Sequence, residues 1–422
     1  MQILKKSFRS FSRHEIIFIL LSMLMGFCIS CEYGIVRSAS QSIFLTFFSA
    51  DILPYAWLIL VPLNLGVISL YNRGLSRYGC WKVLLAIILF SMGVNIICAW
   101  KIMQMPYLSF LQFLWKDLYI LLMFKQLWSM IHSTIDPQKA KYIYGLIFAC
   151  GGAGSIVGGF FAHSFAKSLG SSNLFLFTVL FYSLIGIFYY HALRFSLHKS
   201  NSGFVKNLQK DSPNMKEGFS IIRNSNYLMV ILFLVVFMQI SISLVDYQFN
   251  LMLSNTITDT DLRTQFMGKT IGIINTFTTV FQLIGGYVFL RFFGVRKSHF
   301  LVPLFLGINA LVLHVFPVFS IAVYSYIAIK AVDFSIFSIS REMLYIPLTL
   351  KEKYKAKAII DVFVYRSSKA LGSFFLIFLQ VFAKNSIFSL AGNVSLALFI
   401  LWAVFAYYAF KNKTVNSILN LD

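Results

Sequence analysis

Charge is what this sequence has least of. Only 12% of its 422 residues are Asp, Glu, Lys or Arg, with 15 acidic residues against 36 basic ones. A soluble globular domain carries about 25% charged residues, so that class is excluded at the outset. Proline is sparse as well, 8 in all, which leaves long stretches free to run as unbroken helix. Cysteine numbers 5. Cys28 and Cys31 form a Cys-x-x-Cys, but in an apolar run with no second pair and no histidine at ligand spacing. The cysteines therefore read as small buried hydrophobes, and no metal is implied. No HExxH, GxSxG or phosphate-loop Gly-Lys-Ser/Thr is present, so neither an enzyme nor a cofactor is expected.

Apolar residues fill the space that charge leaves, at 58% of the chain. A helix needs about 20 apolar residues to cross the hydrocarbon of a bilayer. Twelve runs satisfy that length: 16–36, 52–72, 83–101, 107–130, 142–165, 172–194, 226–249, 268–290, 298–317, 319–340, 357–382 and 386–410. The runs are continuous and lack the alternation of barrel strands. The expected fold is therefore an all-α polytopic membrane protein of twelve transmembrane helices in two six-helix halves. Residues 1–194 form the first half, 195–225 a cytoplasmic linker and 226–422 the second half.

Charge asymmetry sets the expected topology. Clusters such as Lys5, Lys6, Arg9 and Arg13, then Arg73, Arg77 and Lys82, then Lys351, Lys353, Lys355 and Lys357 fall in alternate loops. The opposite loops hold six cations, Arg37, Lys101, Lys167, Arg263, Lys269 and Lys384. The positive-inside bias then puts both termini in the cytoplasm. Met1–His14 resembles the basic start of a signal peptide, but no small-residue cleavage site follows, so a retained first helix is expected. The net charge of +21 is spread over these loops, where it suits anionic membrane lipids rather than nucleic acid.

The informative charges are those inside the apolar runs, where each costs about 2.5–3.5 kcal/mol unless paired or hydrated. At about 100° per residue, Lys330, Asp333 and Arg341 of the tenth run share one helix face. A structural Lys330–Asp333 pair is the alternative use of that spacing. Asp361, Tyr365 and Lys369 share a face of the eleventh run, with Arg366 further round. Earlier runs carry Glu32, Arg37, Lys116, Asp117, Lys125, Gln126 and Asp246. Two neighbouring helices with an excess of cations suit a small anionic solute, because guanidinium forks match phosphate and carboxylate oxygens. The stretch Gly151-Gly152-Ala153-Gly154-Ser155-Ile156-Val157-Gly158-Gly159 predicts close helix packing.

Six helices, a long cytoplasmic loop and six helices is the layout of major facilitator transporters, and Asn72–Gly79 resembles the basic loop of that superfamily. Ser340-Arg341-Glu342-Met343-Leu344-Tyr345-Ile346-Pro347-Leu348, followed by Lys353–Asp361 and Arg366, resembles the signature of the bacterial and plastid ATP/ADP translocase family. Leu127-Trp128, Ala140–Gly145 and Leu244-Val245-Asp246 resemble further stretches of that family. The departures fall on charged positions. Ser40 and Gln41 stand where the family has Lys-Asp, Gln126 where it has Glu, Asp246 where it has Glu, and Arg341 where it has Lys.

The resemblance implies a secondary transporter that moves an anionic phosphorylated metabolite by antiport or proton-coupled symport, in a bacterial inner membrane and as a monomer. Arg37, Gln126, Lys330, Arg341, Arg366 and Lys369 are then the candidate substrate-binding residues, and Asp246, Asp333 and Asp361 the candidate coupling or gating residues. Two other readings stay open: a proton-coupled carrier of another organic anion, and a non-transporting membrane scaffold with a degenerate site.

Overall fold

The computed structural model of the protein describes residues 12–135, 137–197, 215–349, 352, 356–357, 359–383 and 386–411. Lys5, Lys6, Arg9, most of the 195–225 linker, and Lys351, Lys353 and Lys355 with the motif segment around them lie outside those residues. All regular structure among the described residues is helical. In chain order it comprises α1 (Arg13–Phe47), α2 (Leu53–Lys101), α3 (Pro106–Thr134), α4 (Pro137–Leu169), α5 (Leu174–Leu197), α6 (Met215–Arg223) and α7 (Asn226–Thr256). There follow α8 (Thr260–Val280), α9 (Gly286–Val315), α10 (Phe319–Val332), α11 (Ser338–Leu344), α12 (Tyr365–Ala383) and α13 (Ile387–Lys411). Three π-helical turns, Phe281–Gly285, Asp333–Phe337 and Ile359–Val364, interrupt the second half.

Ten helices are long and apolar enough to cross a membrane, among the described residues. Two of the boundaries between the expected runs are kinks with no intervening loop. The runs 52–72 and 83–101 are two helices that meet at such a kink within α2, where Gly79 has φ 80. The end of the 268–290 run continues into α9 past Gly294, with φ 68. That left-handed backbone is open to glycine and strained for other residues. Large apolar side chains stay exposed on the outer faces, Phe292 at 76% and Phe382 at 73%. In a helix of this composition such a surface is solvated by lipid tails.

The helices form two compact units. The first comprises Met1–Phe47, Pro62–Asp211 and Ile257–Thr276; the second comprises Phe48–Val61, Ser212–Thr256 and Phe277–Asp422. Each unit thus includes one short segment from the other half of the chain. In the first unit α1 is the central rod, packed by α3, α4 and α5. In the second α7 takes that position against α10, α12 and α13, with a core that includes Leu234, Met238, Phe337 and Trp402.

The glycine run of α4 does what its composition predicts. An added Cβ at Gly154 or Gly158 would overlap the carbonyl oxygens of Phe27 or Cys31 on α1. At Gly159 it would approach Gly272 N of α8 to 2.7 Å. Backbones meet here with no side chain between them, as small residues allow in membranes. Arg263 is no loop cation. It is 3% exposed in the first turn of α8, and donates to Ile257 O at 2.8 Å, Thr258 O at 3.1 Å and Ser42 O at 3.1 Å. The Ile257 and Thr258 carbonyls, between α7 and α8, are satisfied in this way.

Gly158→Leu should destabilise the first unit by about 3 kcal/mol or more, the upper range for overpacking. Gly93→Leu, where an added Cβ meets open space, should change little. Thermal unfolding of the two purified variants in one detergent checks the contrast.

Candidate functional site

In the second unit the predicted charges come together, but with other partners than the spacing suggested. Lys330 Nζ on α10 donates to Asp246 Oδ2 on α7 at 2.7 Å, with each side chain 8% exposed. The Lys330–Asp333 pair is not formed. Asp333 instead accepts from Gln239 Nε2 of α7 at 3.5 Å and from Tyr365 Oη of α12 at 3.3 Å. Lys330 is taken up by Asp246 instead. Asp333 opens a π turn, which inserts a residue into the helix and turns everything after it by about 100° relative to an ideal α-helix. Arg341, beyond the turn, finds its ion-pair partner on another segment, at Asp361.

Arg341 sits on α11, beyond that turn. Its Nε lies 3.7 Å from Asp361 Oδ1, in the π turn that precedes α12. At that distance the two charges attract without a hydrogen bond, and Arg341 Nε is buried with no hydrogen-bond partner. Tyr345 Oη donates to the same Asp361 oxygen at 3.1 Å. Burial first, and the Asp361 carboxylate second, push the Tyr345 phenol above its ordinary range, so it stays a donor. Glu342, exposed at the same end, takes Lys357 Nζ at 2.6 Å.

Arg366 and Lys369 lie half-buried on α12, and Lys369 Nζ stands 4.8 Å from the Trp57 ring centroid, a cation–π distance. Asp246 keeps one oxygen, Oδ1, buried and without a hydrogen-bond partner. The second unit thus holds all three candidate carboxylates and four of the candidate cations. In two of its helical runs a π turn bears the acidic residue.

The first unit is built differently. Gln126 of α3 is fully engaged: its Oε1 accepts from Tyr71 Oη, and its Nε2 donates to Cys80 O at 3.1 Å and to Tyr189 Oη at 2.5 Å. Ser40 and Gln41 are buried in α1, and Ser40 Oγ turns back to Arg37 O at 3.5 Å. Arg37 is half-buried on the same helix. Lys116 pairs with its neighbour Asp117 at 2.9 Å, and Tyr33 Oη of α1 donates to that carboxylate at 2.9 Å.

One group here outweighs its signal in the sequence. Glu32, 1% exposed near the middle of α1, accepts from Tyr119 Oη at 2.6 Å through both carboxylate oxygens. Gln239 of α7 has a weak signal in the sequence, an amide in an apolar run that also carries Gln248 and Asn250. Two cavities in this unit, of about 320 and 440 Å³, have apolar linings and contain none of the candidate residues.

The family model described as TLC ATP/ADP transporter matches residues 89–329 and 317–414. The ADP,ATP carrier protein 3 of Rickettsia bellii (strain RML369-C) is 26% identical over 306 residues, covering 62% of this chain and 60% of that protein. The ADP,ATP carrier protein 1 of Chlamydia trachomatis serovar D is 24% identical over 436 residues, covering 85% of this chain and 81% of that protein. The chain thus spans about 60% of the length of the Rickettsia bellii relative.

Among solved structures, a mutant form of the nucleoside transporter NupG superposes with a TM-score of 0.69 at 12% identity, over 93% of this chain and 100% of that one. The xylose transporter XylE from E. coli gives 0.63 at 14%, over 94% and 98%. At such identities the likeness is one of fold, and that fold is major facilitator-like.

Replacing Lys330 by Met, or Asp246 by Leu, should cost about 3–5 kcal/mol, because each leaves a buried charge alone. The double replacement should regain most of that loss. Denaturant unfolding of the three variants in detergent measures the cycle; a double variant as unstable as the summed singles would refute the pairing.

Proposed function

Because the chain belongs to the TLC ATP/ADP transporter family, we propose that it is a secondary transporter of an anionic phosphorylated metabolite, with a nucleotide as the favoured solute. It would work as a monomer in a bacterial inner membrane, with twelve spans and both termini in the cytoplasm. Arg341 is the observation that carries the reading. It is a buried guanidinium in the family-signature segment, held to Asp361 at 3.7 Å with its Nε unsatisfied. A phosphate oxygen offers what Asp361 withholds, a short charge-assisted hydrogen bond in the geometry a guanidinium prefers.

Binding would then be an exchange of partners. The solute's phosphates take Arg341, and Asp361 is released to Tyr345 and to water. A buried carboxylate that loses its cation is costly, so the released state is stable only with solute present. That dependence is the physical basis of obligatory exchange: an empty carrier re-forms its ion pairs instead of crossing over. Lys330, Arg366 and Lys369 would add to the field that an anion meets, and Asp246 and Asp333 would hold the cations in register when it leaves.

A second reading, a proton-coupled carrier of a different organic anion, is favoured by one observation. The family's charged positions in the first unit are neutral here, at Ser40, Gln41 and Gln126, and Gln126 is closed into a tyrosine-lined network. A solute with fewer charges than ATP would suit that unit.

Uptake of radiolabelled ATP and ADP into proteoliposomes tests the leading reading. Saturable uptake that is chased out by excess unlabelled nucleotide is expected, with Arg341→Ala reducing it at least tenfold. Absence of uptake of any nucleotide by correctly inserted protein would refute the nucleotide assignment, and uptake of a dicarboxylate in its place would favour the second reading.

A further inference from the structure

The second unit sets Lys330 against Asp246 and Arg341 against Asp361, whereas Glu32 of the first unit is held by a hydroxyl. Its carboxyl lies near the middle of the 35-residue α1, 1% exposed. No cation stands within ion-pair distance of it among the described residues; its hydrogen-bond donor is the Tyr119 hydroxyl, 2.6 Å from both oxygens. The Tyr182 ring of α5 packs across Tyr119 at 5.9 Å between centroids. The Tyr182 hydroxyl faces the same carboxyl, yet it has no hydrogen bond of normal geometry, and neither has Ser91 Oγ behind it.

The surroundings rule out a hidden counter-charge. From α3, Lys116 is the nearest cation to Tyr119 along the helix, and it is bonded to Asp117 at 2.9 Å with its ammonium 4.0 Å from the Phe113 ring centroid. Asp117 also accepts from Tyr33. From α4 the approach is glycine backbone, Gly154 and Gly158 against Phe27 and Cys31. From α5 the facing group is Tyr182. On α1 itself the neighbours are the Cys31 thiol and Arg37, the latter about 140° round the helix.

A charged carboxylate in such a site costs several kcal/mol, a cost that one proton removes. The hydroxyls serve both states, because a phenol both donates and accepts. Neutral Glu32 can give its acid proton to Tyr182 Oη while keeping the Tyr119 bond; charged Glu32 can accept from both tyrosines. Neither state leaves the carboxyl without a partner.

We propose that Glu32, flanked by Tyr119 and Tyr182, is a proton-carrying site of the first unit. Hydronium on one side gives up its proton to the carboxylate, leaving water, and the proton later passes to water on the other side. Only O–H bonds form and break. The coupling of that proton to solute movement rests on the transporter reading above; the protonation itself does not.

The first test therefore uses the purified, solute-free chain. Infrared difference spectra between acid and alkaline buffers should contain a protonated-carboxyl C=O band that vanishes in Glu32→Gln and shifts in Tyr119→Phe. A spectrum unchanged by either substitution overturns the proposal. The Tyr119→Phe variant keeps the test open where Glu32→Gln fails to fold.

The second test uses proteoliposomes with an imposed acid-outside gradient. Wild-type uptake of labelled ADP should rise severalfold over its gradient-free exchange. Glu32→Gln should keep the gradient-free exchange and lose the rise. A rise that persists in Glu32→Gln removes the proton from Glu32. If the wild type takes up no nucleotide while the infrared band is present and lost in Glu32→Gln, the nucleotide assignment fails and the proton site stands.

Discussion

A charge in hydrocarbon must find a partner, and the helices that hold these charges are arranged by that requirement. Asp246 and Lys330 are 84 residues apart in the chain yet 2.7 Å apart in space. Their bond fixes the rotation of α10 against α7 within the second unit. Asp333 then has to be met by Gln239 and Tyr365, from α7 and α12. Arg341 and Asp361 come within 3.7 Å on segments that start from or follow π turns. The core of large apolar side chains around Phe337 and Trp402 fills the volume this arrangement leaves. Packing supplies most of the stability of such a unit, but the ion pairs select which packing is possible.

The helices were legible in the sequence because apolar length suffices to predict them, and the charged candidates because they violate that apolarity. The glycine run of α4 was legible for a related reason: consecutive small residues in an apolar helix have little use except close approach. Partners were not legible. Ideal periodicity put Lys330, Asp333 and Arg341 on one face, and a π turn at Asp333 shifts the register of Arg341. Such a turn has no sequence signature of its own. Glu32 was visible as a charge, but its tyrosine neighbour lies 87 residues away, a distance over which periodicity carries no information. The bend at Gly79 joins two expected spans directly, since a single positive-φ glycine turns a chain without a loop.

The two units solve the same problem with different chemistry. The second sets charge against charge at Lys330–Asp246 and Arg341–Asp361, leaving one guanidinium nitrogen unmatched at Arg341 and one carboxylate oxygen unmatched at Asp246. The first, beside its Lys116–Asp117 pair, relies on hydroxyls and an amide: tyrosines around Gln126 and Tyr119 against Glu32. Ion pairs that can exchange partners suit an anion that arrives and departs. A hydroxyl-lined carboxyl suits a proton. Ser40, Gln41 and Gln126, where the sequence departs from the ATP/ADP translocase pattern it resembles, all lie in the first unit.

Transport as proposed depends on solute phosphate replacing Asp361 at Arg341. That exchange is tested most directly by following the Arg341 side chain itself. In protein labelled with nitrogen-15 at arginine Nε, the Arg341 resonance can be assigned as the signal lost in Arg341→Lys. Titration with ADP or ATP should move it in a saturable manner, while the uncharged nucleoside leaves it in place. A resonance that stays fixed at saturating nucleotide would contradict the exchange of partners.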